Sequence, residues 1–220
     1  MSGHGWRLHH PRTAVPQAAR LRRSRIAVIT GYRSDDVRRV SGPSVEFVHN
    51  PHYAVTNSLY SLWLARDPLR EGFVGLNCDV VFHRQLLTDL VTGRYEDALL
   101  VAFRGRNEPY SDKDKEMKLR VRNGRRTEIS KSLRDGEADG ESIGIAKFAA
   151  TGVGLLVEVP STFAGFCQRR RLPVVDHRGL PWIEIDSPND YWRACTHIAP
   201  VLADAVPAAG TVARRAADHV

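Results

Sequence analysis

What this 220-residue chain has little of narrows it first. Cysteine occurs three times, at Cys78, Cys167 and Cys195. These are too far apart for a Cys-x-x-Cys knuckle and too few for a disulfide framework, so a reduced, cytoplasmic protein is expected. No stretch approaches the roughly 18 to 20 apolar residues that cross a bilayer, and no membrane insertion is expected. Residues 1–10 lack the apolar core of a secretory signal. Aromatic residues make up 8% of the chain and do not interleave with its basic runs, as a stacking platform for single strands would require. No internal repeat is present, which excludes a solenoid.

What is there is a globular composition, with 42% hydrophobic and 26% charged residues, in a length that suits one domain with a real core. The formal net charge is +7. It collects at 20–25, 118–126, 169–171 and in the pair Arg214-Arg215. A basic surface draws anionic partners, whether nucleic acid, phospholipid or nucleotide. No nucleic-acid-binding motif accompanies the charge, so a basic nucleic-acid-binding protein is the disfavoured reading and solvated faces the simpler one.

Hydrophobic periodicity divides the chain into an unstructured or mis-started lead-in (1–24), a folded domain (25–198) and a tail (199–220). Ile26 to Thr30 is a short β-branched run ended by Gly31 and reads as a buried strand. Ser34-Asp35-Asp36 offers a cap and an acidic first turn for a helix, and Val45 to Val48 is a second strand. Thr56 to Arg66 is the clearest helix, capped by Thr56 or Asn57, with Leu59, Leu62, Trp63 and Arg66 on one face. Strands are expected at Phe73 to Asn77 and Ala98 to Phe103, separated by a helix carrying Leu86, Leu87, Leu90 and Val91. This β-α-β-α-β-α-β order argues a parallel sheet covered by helices. Beyond it, Asn123-Gly124 marks a hairpin, Ser142 to Phe148 is strand-like, and Thr162 to Arg171 is a short helix. Trp182 to Ile185 is a strand, and Ser187-Pro188 opens a capped helix.

Ligands in α/β folds bind at the carboxyl ends of strands. Asp79 and Asp186 both follow apolar strands and stand at that position, where two carboxylates could share a magnesium ion with substrate phosphates. Strand-end aspartates also serve as turn or helix caps, and spacing alone does not bring these two together. The polar segment from Asn50-Pro51 to Thr56-Asn57-Ser58 feeds a helix amino terminus, whose donors suit an anion or a base edge as well as simple capping.

Ile26-Ala27-Val28-Ile29-Thr30-Gly31-Tyr32, Asn50-Pro51-His52-Tyr53 with Thr56-Asn57, and Ser61-Leu62-Trp63-Leu64-Ala65 stand in order along the chain. Asp79-Val80-Val81-Phe82, Glu116-Met117-Lys118, Ser130-Lys131, Ala138-Asp139-Gly140-Glu141 with Ile143-Gly144-Ile145, and Trp182-Ile183-Glu184-Ile185-Asp186 follow. Together they resemble the phosphocholine cytidylyltransferase-like branch of the sugar-nucleotide nucleotidyltransferases, over about residues 25 to 195. The resemblance implies a Rossmann-like, mostly parallel sheet with a mixed β insertion that holds a phosphorylated acceptor. It implies transfer of a nucleotidyl group, cytidylyl by preference, from a nucleoside triphosphate (CTP) to a phosphorylated alcohol such as phosphocholine or to a sugar phosphate, with pyrophosphate leaving. By the same match Asp79 and Asp186 would hold Mg2+, and Thr56, Asn57 and Asp79 would lie at the nucleotide. Glu141 would bind the acceptor, and Lys131 would take the catalytic position on the acceptor side. Lys118 reads equally as a surface lysine on the hairpin.

The sequence also departs from that family. Its opening strand and Gly-x-Gly-x-Arg phosphate loop with a Pro-Lys pair have no counterpart ahead of Ile26. Gly3-His4-Gly5-Trp6-Arg7 copies the spacing without a preceding strand, and Pro11-Arg12 replaces Pro-Lys. Asn77 stands near a position where the family carries a small glycine, and the family's Tyr-x-Glu helix is not found between Phe148 and Trp182. The expectation is an incomplete family member with at most weak nucleotide binding and no useful turnover, the alternative being a catalytically dead remnant that keeps a binding cleft.

Overall fold

The computed structural model describes residues 25–104, 117–158 and 172–204. Strand β1 (Ile26–Thr30), helix α1 (Ser34–Ser41) and strand β2 (Val45–His49) come first. β1 and β2 pair in parallel from Ile26 opposite Val45 to Thr30 opposite His49. Helix α2 (Ser58–Leu64) and a single turn, α3 (Arg66–Leu69), lead to β3 (Gly72–Leu76), β4 (Val80–Phe82), α4 (Arg84–Thr92) and β5 (Ala98–Phe103). The hairpin of β6 (Lys118–Arg122) and β7 (Arg125–Ser130) turns at Asn123 and Gly124, with φ of 53° and 69°. That double left-handed step is what an Asn-Gly hairpin turn requires. Strand β8 (Gly140–Ala149), helix α5 (Ala150–Glu158), β9 (Val174–Asp176) and β10 (Trp182–Glu184) follow. The described chain closes with α6 (Pro188–Arg193), a π-helical turn (Ala194–Ile198) and α7 (Ala199–Asp204).

The α/β expectation is met, and the sheet is mixed. The main sheet runs β7-β6-β8-β5-β9, with β3 also on β8. β8 is antiparallel to β3, β5 and β6, while β5 and β9 are parallel. The expected succession of parallel neighbours is interrupted because β8, from the second half of the chain, inserts between β3 and β5. Antiparallel partners need no crossover helix, so this long strand can join the sheet from far along the sequence.

β5 is the centre of the core. Leu99 and Val101 face one cluster with Leu59 from α2, Leu119, Ile129, Phe148 and Leu172. Ala98, Leu100 and Ala102 face the other, with Leu86, Leu87 and Leu90 from α4, Phe82, Ile143 and Trp182. A strand covered on both faces is apolar throughout rather than alternating, as Ala98 to Phe103 is. Val81, Ile183, Ala194 and Ile198 form a third, smaller cluster where β4 and β10 meet the π-helical turn.

The helices begin and end where the sequence signals them, with small shifts. α2 starts two residues later than its polar lead-in, because the Asn57 side chain caps it by accepting from the Tyr60 N–H at 3.0 Å. Ser34 is the first helical residue of α1 rather than its cap, a place taken by Arg33 at φ 52°. The helix read over Thr162 to Arg171, the phosphate-loop imitation at 3–7 and the lead-in lie outside the described residues, as does the tail beyond Asp204. Among the described residues, no helix is long and apolar enough to cross a membrane.

Candidate active site

Three carboxylates converge at the ends of two paired strands. β4 and β10 are antiparallel, with Glu184 opposite Val80. The Ile185 N–H extends the ladder by donating to the Asp79 carbonyl at 2.8 Å. This short ladder brings Asp79, at the exit from β3, beside Glu184 and Asp186, at the exit from β10. One oxygen from each lies within 4.8 Å of the others, with Asp79 and Glu184 half-buried and Asp186 exposed. Immediately after Asp186, a capping box secures the backbone. The Ser187 hydroxyl accepts from the Asp190 N–H, and the Asp190 carboxylate accepts from the Ser187 N–H at 2.9 Å.

Carboxylate oxygens are hard donors, and ligands around an octahedral magnesium ion stand about 3 to 4 Å apart at metal–oxygen distances of about 2.1 Å. Three oxygens of this kind within 4.8 Å of one another, at the solvent boundary of the sheet, are the donor type that ion takes, at a slightly wider spacing. A soft metal would call for thiolate or imidazole. Cys78 adjoins Asp79 in sequence but is not among the converging ligands.

Beside the cluster the main sheet forks. One edge of β8 carries β6 at Gly140 and Glu141, and β3 from Ile145 to Ala149. Between them only single bonds hold the edge: the Ser142 N–H donates to the Met117 carbonyl at 3.0 Å, and the Asn77 N–H to the Gly144 carbonyl at 2.9 Å. β3 runs into this fork and leaves it toward Asp79, while β6 starts from it. Glu141 borders the fork, opposite Lys118 in register. Lys118 is buried, which corrects its reading as a surface residue of the hairpin. A strand-end acidic cluster next to an opening in the sheet is where α/β folds take ligands.

No protein-family model matches the sequence, and no curated protein matches it. Solved structures do match. The inositol-1-phosphate CTP transferase from T. maritima aligns with 74% of this chain and 71% of its own, at 19% identity and a TM-score of 0.60. A putative glucose-1-phosphate thymidylyltransferase from Bacillus anthracis aligns with 84% of this chain and 78% of its own, at 14% identity and TM-score 0.60. The CTP:phosphocholine cytidylyltransferase from Streptococcus pneumoniae aligns with 76% of this chain and 75% of its own, at 18% identity and TM-score 0.53. The fold is that of the sugar-nucleotide nucleotidyltransferases.

Within this nucleotidyltransferase fold the remaining sequence candidates occupy different places. Thr56 and Asn57 belong to a tightly bonded turn. Buried Asn50 donates through Nδ2 to the hydroxyls of Thr56 and Ser61, each at 3.0 Å, and its Oδ1 accepts from the His52 N–H. The Thr56 hydroxyl in turn donates to the His52 carbonyl at 2.8 Å. Both side chains are thus engaged in shaping the segment that links β2 to α2, and Asn57 is its cap. Lys131 is exposed in the turn that leaves β7. Glu184 was not singled out from sequence. Its only signal is a carboxylate inside an otherwise apolar strand, two residues before Asp186, which places both on the same face of an extended chain.

Proposed function

We propose that the chain is a magnesium-dependent nucleotidyltransferase. The observation that carries this reading is the convergence of Asp79, Glu184 and Asp186 at the strand ends of a nucleotidyltransferase fold. In the proposed reaction, a phosphate oxygen of a phosphorylated alcohol or sugar phosphate attacks the α-phosphorus of a nucleoside triphosphate. A new P–O–P bond forms, the α–β bridge breaks, and pyrophosphate leaves with the electron pair. A magnesium ion held by the carboxylates supplies charge neutralisation on the phosphates. The protein's part is positioning, which contributes much of the acceleration in phosphoryl transfer. Glu141 beside the fork binds the acceptor, Lys131 offers a cation on the acceptor side, and the Thr56-Asn57 turn lies against the base. CTP is the favoured donor, since the inositol-1-phosphate CTP transferase and the CTP:phosphocholine cytidylyltransferase, two of the matching structures, are named as CTP enzymes.

The test is CTP binding by calorimetry with and without Mg2+, beside pyrophosphate release with phosphocholine and sugar phosphates. Mg2+-dependent binding is expected, and Asp79→Ala should weaken it by about a hundredfold or more, the scale of losing one charged ligand-holding group, while the circular dichroism spectrum stays unchanged. A wild-type chain that binds no nucleoside triphosphate in the presence of Mg2+ would overturn the reading.

A further inference from the structure

The helical segment from α6 to α7 has two unlike faces. Inward, Ala194, Ile198 and Leu202 pack against Val81 and Ile183 of the β4–β10 ladder. Outward, Trp192 is 58% exposed, Val201 49% and neighbouring Tyr191 40%. The π-helical turn joins the outward residues into one stripe. It closes with the Ala199 N–H donating to the Ala194 carbonyl, five residues back. This wider turn sets the His197 ring edge-on to Trp192, with centroids 5.8 Å apart. Val201 stands four residues beyond His197, on the same side of a helix. An indole left in water beside further apolar groups marks an interaction surface.

The sequence beyond Asp204 supplies a matching surface. Residues 205–220 lie outside the described residues. Pro207 and Gly210 fall early in that stretch, and neither suits a helix interior. From Thr211 onward, helical spacing puts Val212, Ala213, Ala216, Ala217 and Val220 on one side and Arg214, Arg215, Asp218 and His219 on the other. Thr211 is a residue type that caps helices, and Arg214 and Asp218 stand at the spacing of a helical ion pair.

We propose that residues 211–220 form a helix that folds back onto the Trp192–His197–Val201 stripe and covers it. The stretch 205–210 has the length of an ordinary connection between antiparallel helices. Val212, Ala216 and Val220 face the stripe, and the small alanines leave room for the Trp192 ring, as large and small residues alternate across packed faces. So short a helix is marginal by itself in water, so its formation depends on this docking. A second copy of the chain is the less suited occupant, because a net charge of +7 on each copy opposes their approach.

The test is amide hydrogen exchange on the full chain at several protein concentrations, read by mass spectrometry beside sedimentation. Amides of 212–220 are expected to exchange at least about tenfold more slowly than in a free peptide of the same sequence, at every concentration, as docked rather than fraying structure does. Trp192→Ala and Ala216→Asp should each return them to within about twofold of the peptide rate, while β5 amides keep their protection. Tyr32→Ala, an exposed aromatic on another part of the chain, should change nothing. Should Trp192→Ala also strip protection from β5, Ala216→Asp alone decides. Peptide-like exchange in wild type, protection that survives Ala216→Asp, or protection that rises with concentration in step with a dimer would each overturn the proposal.

Discussion

The main sheet and the β1–β2 pair are made of similar residues and are held very differently. Leu99, Leu100 and Val101 of β5 are at most 1% exposed and contribute to both large clusters. Ile26, Ala27, Val28 and Ile29 of β1 are all only half-buried, and none of the three core clusters includes a residue of β1, α1 or β2. β1 pairs with β2 alone among the described strands. Parallel strands normally sit within sheets covered on both faces, and a two-stranded unit is marginal by itself. The β1–β2 unit is accordingly tied by local contacts. Arg38 stacks over Phe47 at 4.5 Å, and Arg25 grips Glu46 with two hydrogen bonds of 2.8 Å. An apolar strand gains its stability from neighbours on both faces and both edges, and sequence identity supplies none of that.

The sharpest way to break this comparison is a matched pair of truncations. Leu100→Ala should cost about 2–5 kcal/mol of global stability, through lost burial and the cavity left behind. Val28→Ala should cost on the order of 1 kcal/mol, because less area leaves water there. Denaturant midpoints compare the two directly, and equal costs would show that β1 is part of the cooperative core. A smaller effect should come from the active-site side. Ser187→Ala removes the capping box that follows Asp186 and should cost about 1 kcal/mol, again by denaturant midpoint, with Mg2+-dependent CTP binding weakened because Asp186 loses its anchored successor. An unchanged midpoint would mean that α6 is held by Ala194 and Ile198 packing rather than by its cap.

The smallest effect separates the two regions by pH. Hydrogen bonding from Arg25, with a smaller attraction from its charge, holds the Glu46 carboxyl below its ordinary value of 4.5. A carboxylate with a lowered folded pKa stabilises above its ordinary pKa and loses that contribution as pH falls through the folded value. Glu46 is exposed, so solvent and salt screen the pair. Protection of the β1 and β2 amides, corrected for intrinsic exchange, should therefore fall below about pH 4.5 before that of β5 and β8 does. Glu46→Gln should flatten this dependence. Parallel loss of protection in both regions would put the acid response in the main sheet instead.

Much of the site's framework was legible in the sequence because it rests on local chemistry. Asp79 and Asp186 stand at strand ends, as their apolar lead-ins implied, and the Ser187-Pro188 start of α6 is a complete capping box. Glu184 escaped notice because a single acidic residue in a strand has no local signature. Only the antiparallel pairing of β10 with β4 puts it beside Asp79. Asn77 looked like a departure at an awkward position, and its accommodation depends on a glycine 67 residues further along, where β8 bulges.

By itself, then, the sequence determined what depends on neighbours in the chain. Short apolar runs became β1 and β5, Asn123-Gly124 became the hairpin turn, and Asn57 and Ser187 became caps, because φ/ψ preferences and side-chain-to-backbone bonds act over a few residues. Tertiary structure alone decided that β8 enters between β3 and β5, that the sheet is mixed, and that three carboxylates and the fork share one end of it. Strand pairing uses backbone groups that every residue possesses, so partner and register follow from which faces bury together rather than from any local motif.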